Sequence, residues 1–149
     1  MDLNDEIAST CFGNQARRAT RAVTRVFDAR MRAIDLKITQ FAVLLTILSH
    51  PKLAIAGIAK KLDIEPSALQ RNVAVLQKCG FVEGDGKRGR SGQRFRLTAL
   101  GAAKLKEAIP IWRKVHLEIT HALAGKADLT LRALKRLEQT ALNIERHTK

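Results

Sequence analysis

The chain has 149 residues, 46% of them hydrophobic, enough for one real core. Its formal charge is +13 and its pI is near 10.6, which directs attention to polyanionic partners, nucleic acid or an anionic membrane, more than to any particular fold. The longest apolar stretch, Phe41 to Leu48, is broken by Thr46 and is much shorter than a membrane span. The N-terminus carries Asp2, Asp5 and Glu6 where an export signal would be basic, so a cytoplasmic location is expected. Only two cysteines occur, Cys11 and Cys79, outside any CxxC spacing; a disulfide scaffold or zinc ribbon is not indicated.

In chain order, Asn14 to Leu36 runs without Gly or Pro, and Ala19, Val23, Val26, Phe27 and Ile34 fall close to helical spacing, which predicts one long first helix. Phe41, Leu44, Leu45 and Leu48 recur at i, i+3, i+4 and i+7 and predict a second helix, buried along that stripe, ending near His50-Pro51. Ile55, Ile58, Ala59 and Leu62 mark a short third helix. It is locally weak, because Gly57 sits inside it and Ala54 offers no capping oxygen.

Pro66 suits the first turn of a fourth helix, and Gly80 its stop. Leu69, Val73 and Leu76 make its core side. Ser67, Gln70, Arg71, Ala74 and Lys78 then project outward. Phe81-Val82 and Phe95-Arg96-Leu97 flank the glycine-rich segment from Gly84 to Gly92 and predict a hairpin with a basic tip. Thr98 is placed to cap a long fifth helix with an apolar stripe from Leu105 to Leu123 and a proline, Pro110, that could kink it. Asp128 or Thr130 would cap a last helix whose apolar side is Leu131, Leu134, Leu137, Ala141 and Leu142.

Three helices followed by a hairpin is the order of a winged helix-turn-helix, in which the helix after the turn enters the major groove and the hairpin touches backbone or minor groove. The fold class is therefore mainly α with a small β-hairpin wing. The DNA-facing candidates are Ser67, Ala68, Gln70 and Arg71 on the fourth helix and Lys87, Arg88, Arg90 and Arg94 on the hairpin, where Arg96 adds a further charge.

From about Cys11 to Ala141 the chain resembles the multiple antibiotic resistance regulator (MarR) family. The stretches that carry the resemblance are Ile38-Thr39-Gln40-Phe41-Ala42-Val43-Leu44, Ile55-Ala56-Gly57-Ile58-Ala59-Lys60-Lys61-Leu62, Ser67-Ala68-Leu69-Gln70-Arg71-Asn72, Leu76-Gln77-Lys78-Cys79-Gly80-Phe81-Val82 and Leu97-Thr98-Ala99-Leu100-Gly101. The resemblance implies a single unit over residues 1–149, with a DNA-binding lobe at 37–99 and helical dimerisation regions at 9–36 and 100–149. It implies a homodimer that reads a pseudo-palindromic operator with Arg71 as base reader, often released by a small anionic or phenolic ligand. The sequence departs from the family where Gly89 stands at the wing's usual acidic position, and at Ala54 and Gly57, where a hydroxyl cap and a non-glycine residue are usual.

Phe27, Trp112 and His116 are the candidate effector-binding residues, although a tryptophan in register with Ile109, Val115 and Ile119 equally suits core or dimer seam. Cys11-Phe12 resembles the reactive-cysteine position of the family's peroxide sensors, but the chain has no tyrosine to hold the thiol. His116 and His121 are five apart and do not share a helical face, and no triad, phosphate-binding loop or carboxylate pair stands out. No metal, no cofactor and no enzyme activity is expected. Two other readings remain open, a sequence-tolerant architectural DNA-binding protein and a thiol-based redox regulator acting through Cys11. A membrane-surface helix fits less well, because the apolar faces are committed to packing.

Overall fold

A computed structural model of the chain describes residues 2–86 and 92–148. The predicted DNA contacts Lys87, Arg88 and Arg90 lie outside the described residues, as does Gly89. The chain forms two compact units, Met1–Trp112 and Arg113–Lys149.

The first unit opens with α1 (Leu3–Thr10) and α2 (Phe12–Met31), followed by a 3-10 turn at Arg32–Ile34. The single first helix expected from Asn14 to Leu36 is thus closed earlier, at Met31, and preceded by a separate short helix. The break falls at Cys11, whose backbone is extended, and it is held by side chains: Asn14 Nδ2 and Gln15 Nε2 donate to the Ala8 carbonyl at 3.0 and 2.9 Å. At the other end Asp35 adopts a left-handed conformation, and Asp28 Oδ1 accepts from the Ile38 amide at 2.8 Å, which seats the start of the next helix.

Helix α3 (Ile38–Ser49) is opened by one half of a capping box: the Lys37 amide donates to Gln40 Oε1 at 2.9 Å, while the Lys37 side chain has no acceptor with which to return the bond. Its buried set is Phe41, Val43, Leu44, Thr46 and Ile47, while Leu45 and Leu48 are exposed. The predicted stripe is therefore half right. This helix is apolar nearly all round, so the i, i+3, i+4 pattern fits more than one face and does not choose between them. The Thr46 hydroxyl is satisfied by the Ala42 carbonyl at 2.8 Å.

Helices α4 (Ile55–Leu62) and α5 (Pro66–Lys78) follow, joined by a turn in which Asp63 is left-handed and the Ile64 amide returns to the Ala59 carbonyl. Strands β1 (Val82–Gly84) and β2 (Phe95–Leu97) pair antiparallel, Val82 opposite Leu97 and Gly84 opposite Phe95. The core holds Met31, Leu44, Ile47, Ile58, Leu69, Leu76 and Leu105 with almost no exposure.

Helix α6 (Ala99–Ala122) starts in this unit and continues through Pro110 into the second. Thr98 caps it as expected, its Oγ1 accepting from the Gly101 amide at 3.0 Å and donating to the Gly80 carbonyl at 2.5 Å. A Cβ at Gly101 would run into the Phe81 carbonyl, which is why the turn from β2 into α6 tolerates only glycine there.

The second unit comprises the end of α6, a turn through Ala124 and Gly125, both at positive φ, and α7 (Ala127–His147). The predicted caps of α7 are not used. Lys126 occupies the cap position without a side-chain bond, Asp128 lies in the first turn, and Thr130 Oγ1 donates back to the Lys126 carbonyl at 2.9 Å. Acid in the first turn still complements the helix dipole. None of α7 is buried in the single chain, and Leu131 and Leu134 are about half exposed.

Candidate nucleic-acid interface

Helix α5 divides cleanly into two faces. Leu69, Val73 and Leu76 are at 0, 2 and 1% exposure, while Ser67, Gln70, Arg71, Ala74 and Lys78 are exposed and Ala68 is half-buried. The opposition follows from the period of 3.6, since the three buried residues are four and three apart. Pro66 starts the helix, and the Ala68 and Leu69 amides turn back to the Glu65 carbonyl. The first turn holds no acidic residue, although the N-cap residue, Glu65, is itself acidic and complements the helix dipole. Lys60 and Lys61, in the last turn of α4, are exposed beside the connecting turn; the sequence reading passed over them, although basic residues flanking such a turn are a usable signal.

The hairpin braces the helix-turn-helix. Ala54, which has no capping side chain, forms a β-bridge with Arg94, and the Ile55 amide donates to the Gln93 carbonyl at 3.1 Å. The missing cap of α4 is thus replaced by a carbonyl from the wing, which offsets the low intrinsic helicity of that segment.

At the base of the wing the Arg94 amide donates to Asp85 Oδ1 at 3.3 Å, and the Asp85 amide donates to the Arg94 carbonyl at 3.0 Å, leaving the Arg94 side chain exposed. Arg96 behaves differently. It stands opposite Glu83 across the strands and pairs with it, Nε to Oε1 at 3.0 Å, so part of its charge is neutralised internally. That pairing depends on strand register, which spacing across the glycine-rich loop did not reveal. An open groove of about 370 Å3 beside the wing is lined by Pro51, Gly84, Asp85, Arg94, Phe95 and Arg96.

The remaining candidates lie on other elements. Phe27 is buried on α2, and Trp112 is half-buried with its ring stacked on Phe41 at 6.4 Å between centroids, so one indole face is committed to packing. His116 is exposed and lies in the second unit. Cys11 and Cys79 are exposed free thiols; Cys11 sits at the break ahead of α2. Among the described residues no group of three His, Cys, Asp or Glu is placed to hold a metal ion, and no helix is long and apolar enough to cross a membrane.

Residues 34–91, the helix-turn-helix and the start of the wing, match the sequence profile of the MarR family. The M. tuberculosis transcriptional regulator MosR is 31% identical to this chain, over 91% of this chain and 98% of that one, with a TM-score of 0.81. The chain belongs to the MarR family. A second structure of MosR, in complex with DNA, superposes with a TM-score of 0.80 at 30% identity over 90% of this chain and 98% of that one. An E. coli MarR variant complexed with operator DNA is 24% identical over 91% of this chain and 97% of that one, with a TM-score of 0.76, and shares the fold. No curated protein matched the chain by sequence. MarR-family proteins are winged-helix, DNA-binding transcriptional regulators and dimers, and α4, the turn, α5 and the β1–β2 hairpin are the winged helix-turn-helix of this member.

Proposed function

We propose that this MarR-family chain is a homodimeric, sequence-specific repressor. It reads a pseudo-palindromic operator through α5 and leaves it when a small aromatic or anionic ligand binds. In this reading residues 37–99 form the DNA-binding lobe, and residues 9–36 and 100–149 serve dimerisation. The observation that carries it is the outward face of α5, where Ser67, Gln70, Arg71 and Lys78 stand exposed over a fully packed Leu69, Val73 and Leu76. Such a rigidly backed row of donors is what base-edge recognition requires. The complex of MosR with DNA supports the same assignment.

Arg71 is proposed to read a base, with Ser67, Ala68 and Gln70 beside it, and Arg94 to hold phosphate together with Lys87, Arg88 and Arg90. Arg71→Ala then weakens the cognate operator by about 1–3 kcal/mol and flattens its preference over scrambled DNA. Arg94→Ala weakens both duplexes alike and reduces the log-log salt slope by about 0.9. Salt titrations on operator and scrambled duplexes, after operator selection with the purified protein, check both. If selection yields no palindrome and Arg71→Ala leaves the affinity ratio intact, the protein is a sequence-tolerant architectural one instead.

Ligand release is checked with Trp112, whose stacking on Phe41 makes its fluorescence sensitive to rearrangement. Quenching by an aromatic acid that tracks loss of DNA binding supports it. A peroxide response abolished by Cys11→Ser would transfer the switch to the thiol.

A further inference from the structure

We propose that α1 is an exchanged arm: in the dimer its acidic, apolar-edged surface docks on the arginine face of α2 in the second copy. This rests on the homodimer proposed above. The two surfaces are complementary, and each is unpartnered within one chain.

Helix α1 has no buried residue, with Leu3 and Ile7 at 66 and 53% exposure on one edge. Its charges are all acidic, Asp5 and Glu6 in the first turn with Asp2 before it. Helix α2 carries the opposite sign. Arg18, Arg21 and Arg25, at i, i+3 and i+7, surround an open groove of about 460 Å3 that also includes Ala19, Ala22 and Gln15. On the same helix Val26 is exposed next to the arginine row, so an apolar residue borders this surface too.

Within one chain α1 adjoins α2 at the Cys11 elbow, where Gln15 at the end of the groove bonds the Ala8 and Ser9 carbonyls, but the acids and the arginines do not pair. Among the described residues neither the acids of α1 nor Arg18, Arg21 and Arg25 has an ion-pair partner. The hydrogen bonds of Asn14 and Gln15 to the Ala8 and Ser9 carbonyls fix the break at Cys11, so α1 is held as a defined arm. Its eight residues span about 12 Å, against about 10 Å from Arg18 to Arg25. An acidic helix with an apolar edge therefore fits the groove in length, sign and surface chemistry. A two-fold axis would supply both arms at once.

The test uses two full-length variants. One is Asp5→Lys with Glu6→Lys; the other is Arg18→Glu with Arg21→Glu and Arg25→Glu. Alone, each sets like charges together and its homodimer weakens by roughly tenfold or more in sedimentation, an effect that shrinks at high salt. Mixed one to one, the variants restore both arms, the basic arm on the acidic face and the acidic arm on the basic face. The heterodimer then forms in preference to either homodimer. That preference cannot arise from contacts inside one chain, because mixing leaves those unchanged. Equal statistical mixing of the variants overturns the inference. So does loss of DNA affinity confined to the arginine variant with its dimer intact, which would make the α2 face a phosphate contact. A wild-type chain that is monomeric at micromolar concentration instead defeats the homodimer reading itself, so the two failures are distinguishable.

Discussion

Helices α5 and α7 are both amphipathic, yet the same kind of stripe meets opposite fates in the two units. In α5 the leucines at 69 and 76 are sealed, whereas in α7 the leucines at 131 and 134 remain about half in solvent. Periodicity identifies an apolar face without saying what covers it. For α5 the cover is in the same chain, supplied by the core of the first unit. For α7 no residue of the stripe is fully buried within the single chain, Leu137 and Leu142 being half-buried, and such a stripe is what a dimer buries.

Truncation separates the two cases by size and by kind. Leu69→Ala removes a fully packed side chain and is expected to cost about 2–5 kcal/mol, seen as a large drop in thermal midpoint. Leu134→Ala costs less in the folded chain and acts on assembly, so its effect appears in sedimentation as a dimer that dissociates on dilution. Should Leu134→Ala leave the dimer unaffected down to nanomolar protein, the α7 stripe is not a seam and the comparison fails.

The lobe was legible in the sequence because several independent marks agreed there. Pro66 and Gly80 delimit α5, its apolar period has one solution, and the residues predicted to face outward do so. Where marks were missing, the reading slipped. The close of α2 at Met31 has no proline or glycine to mark it, and the break at Cys11, two residues before Gly13, is held by the side chains of Asn14 and Gln15, whose tertiary use cannot be read from spacing. Leu45 and Leu48 were assigned to the core because α3 is apolar on nearly every side. In the site, the face of α5 followed from helical arithmetic, but the Glu83–Arg96 pair followed from strand register and stayed hidden.

Two glycines sharpen the contrast at an intermediate size. Gly101 in the first unit is required by crowding, since its Cβ would meet the Phe81 carbonyl; Gly125 in the second is required by its φ of 82° and has nothing within 4 Å. Gly101→Ala is expected to cost about 1–3 kcal/mol, and Gly101→Asn more still. Gly125→Ala should cost about 1 kcal/mol, with Gly125→Asn recovering most of it, because asparagine tolerates the left-handed region. Urea midpoints of the four variants check this. If asparagine is accepted equally at both positions, the turn from β2 into α6 is less tightly closed than the geometry indicates.

The smallest effect tests how α4 is held. Gly57 lies inside α4 at ordinary helical φ, so alanine there gains about 0.5–1 kcal/mol of helix propensity. Against this, the new Cβ would stand 3.0 Å from Leu53 Cδ2, the far end of a flexible and only half-buried side chain that has to shift by a few tenths of an ångström. A rotation of that leucine costs less than the propensity gained, because its methyl group is not enclosed on all sides. Gly57→Ala should therefore stabilise by about 0.5 kcal/mol, read as a higher urea midpoint with an unchanged slope. The brace from the wing, Gln93 carbonyl to Ile55 amide, lies at the helix start and is untouched by the substitution. A loss of stability would mean that Leu53 is locked in place, and that α4 is set by packing too tight for its own sequence to improve.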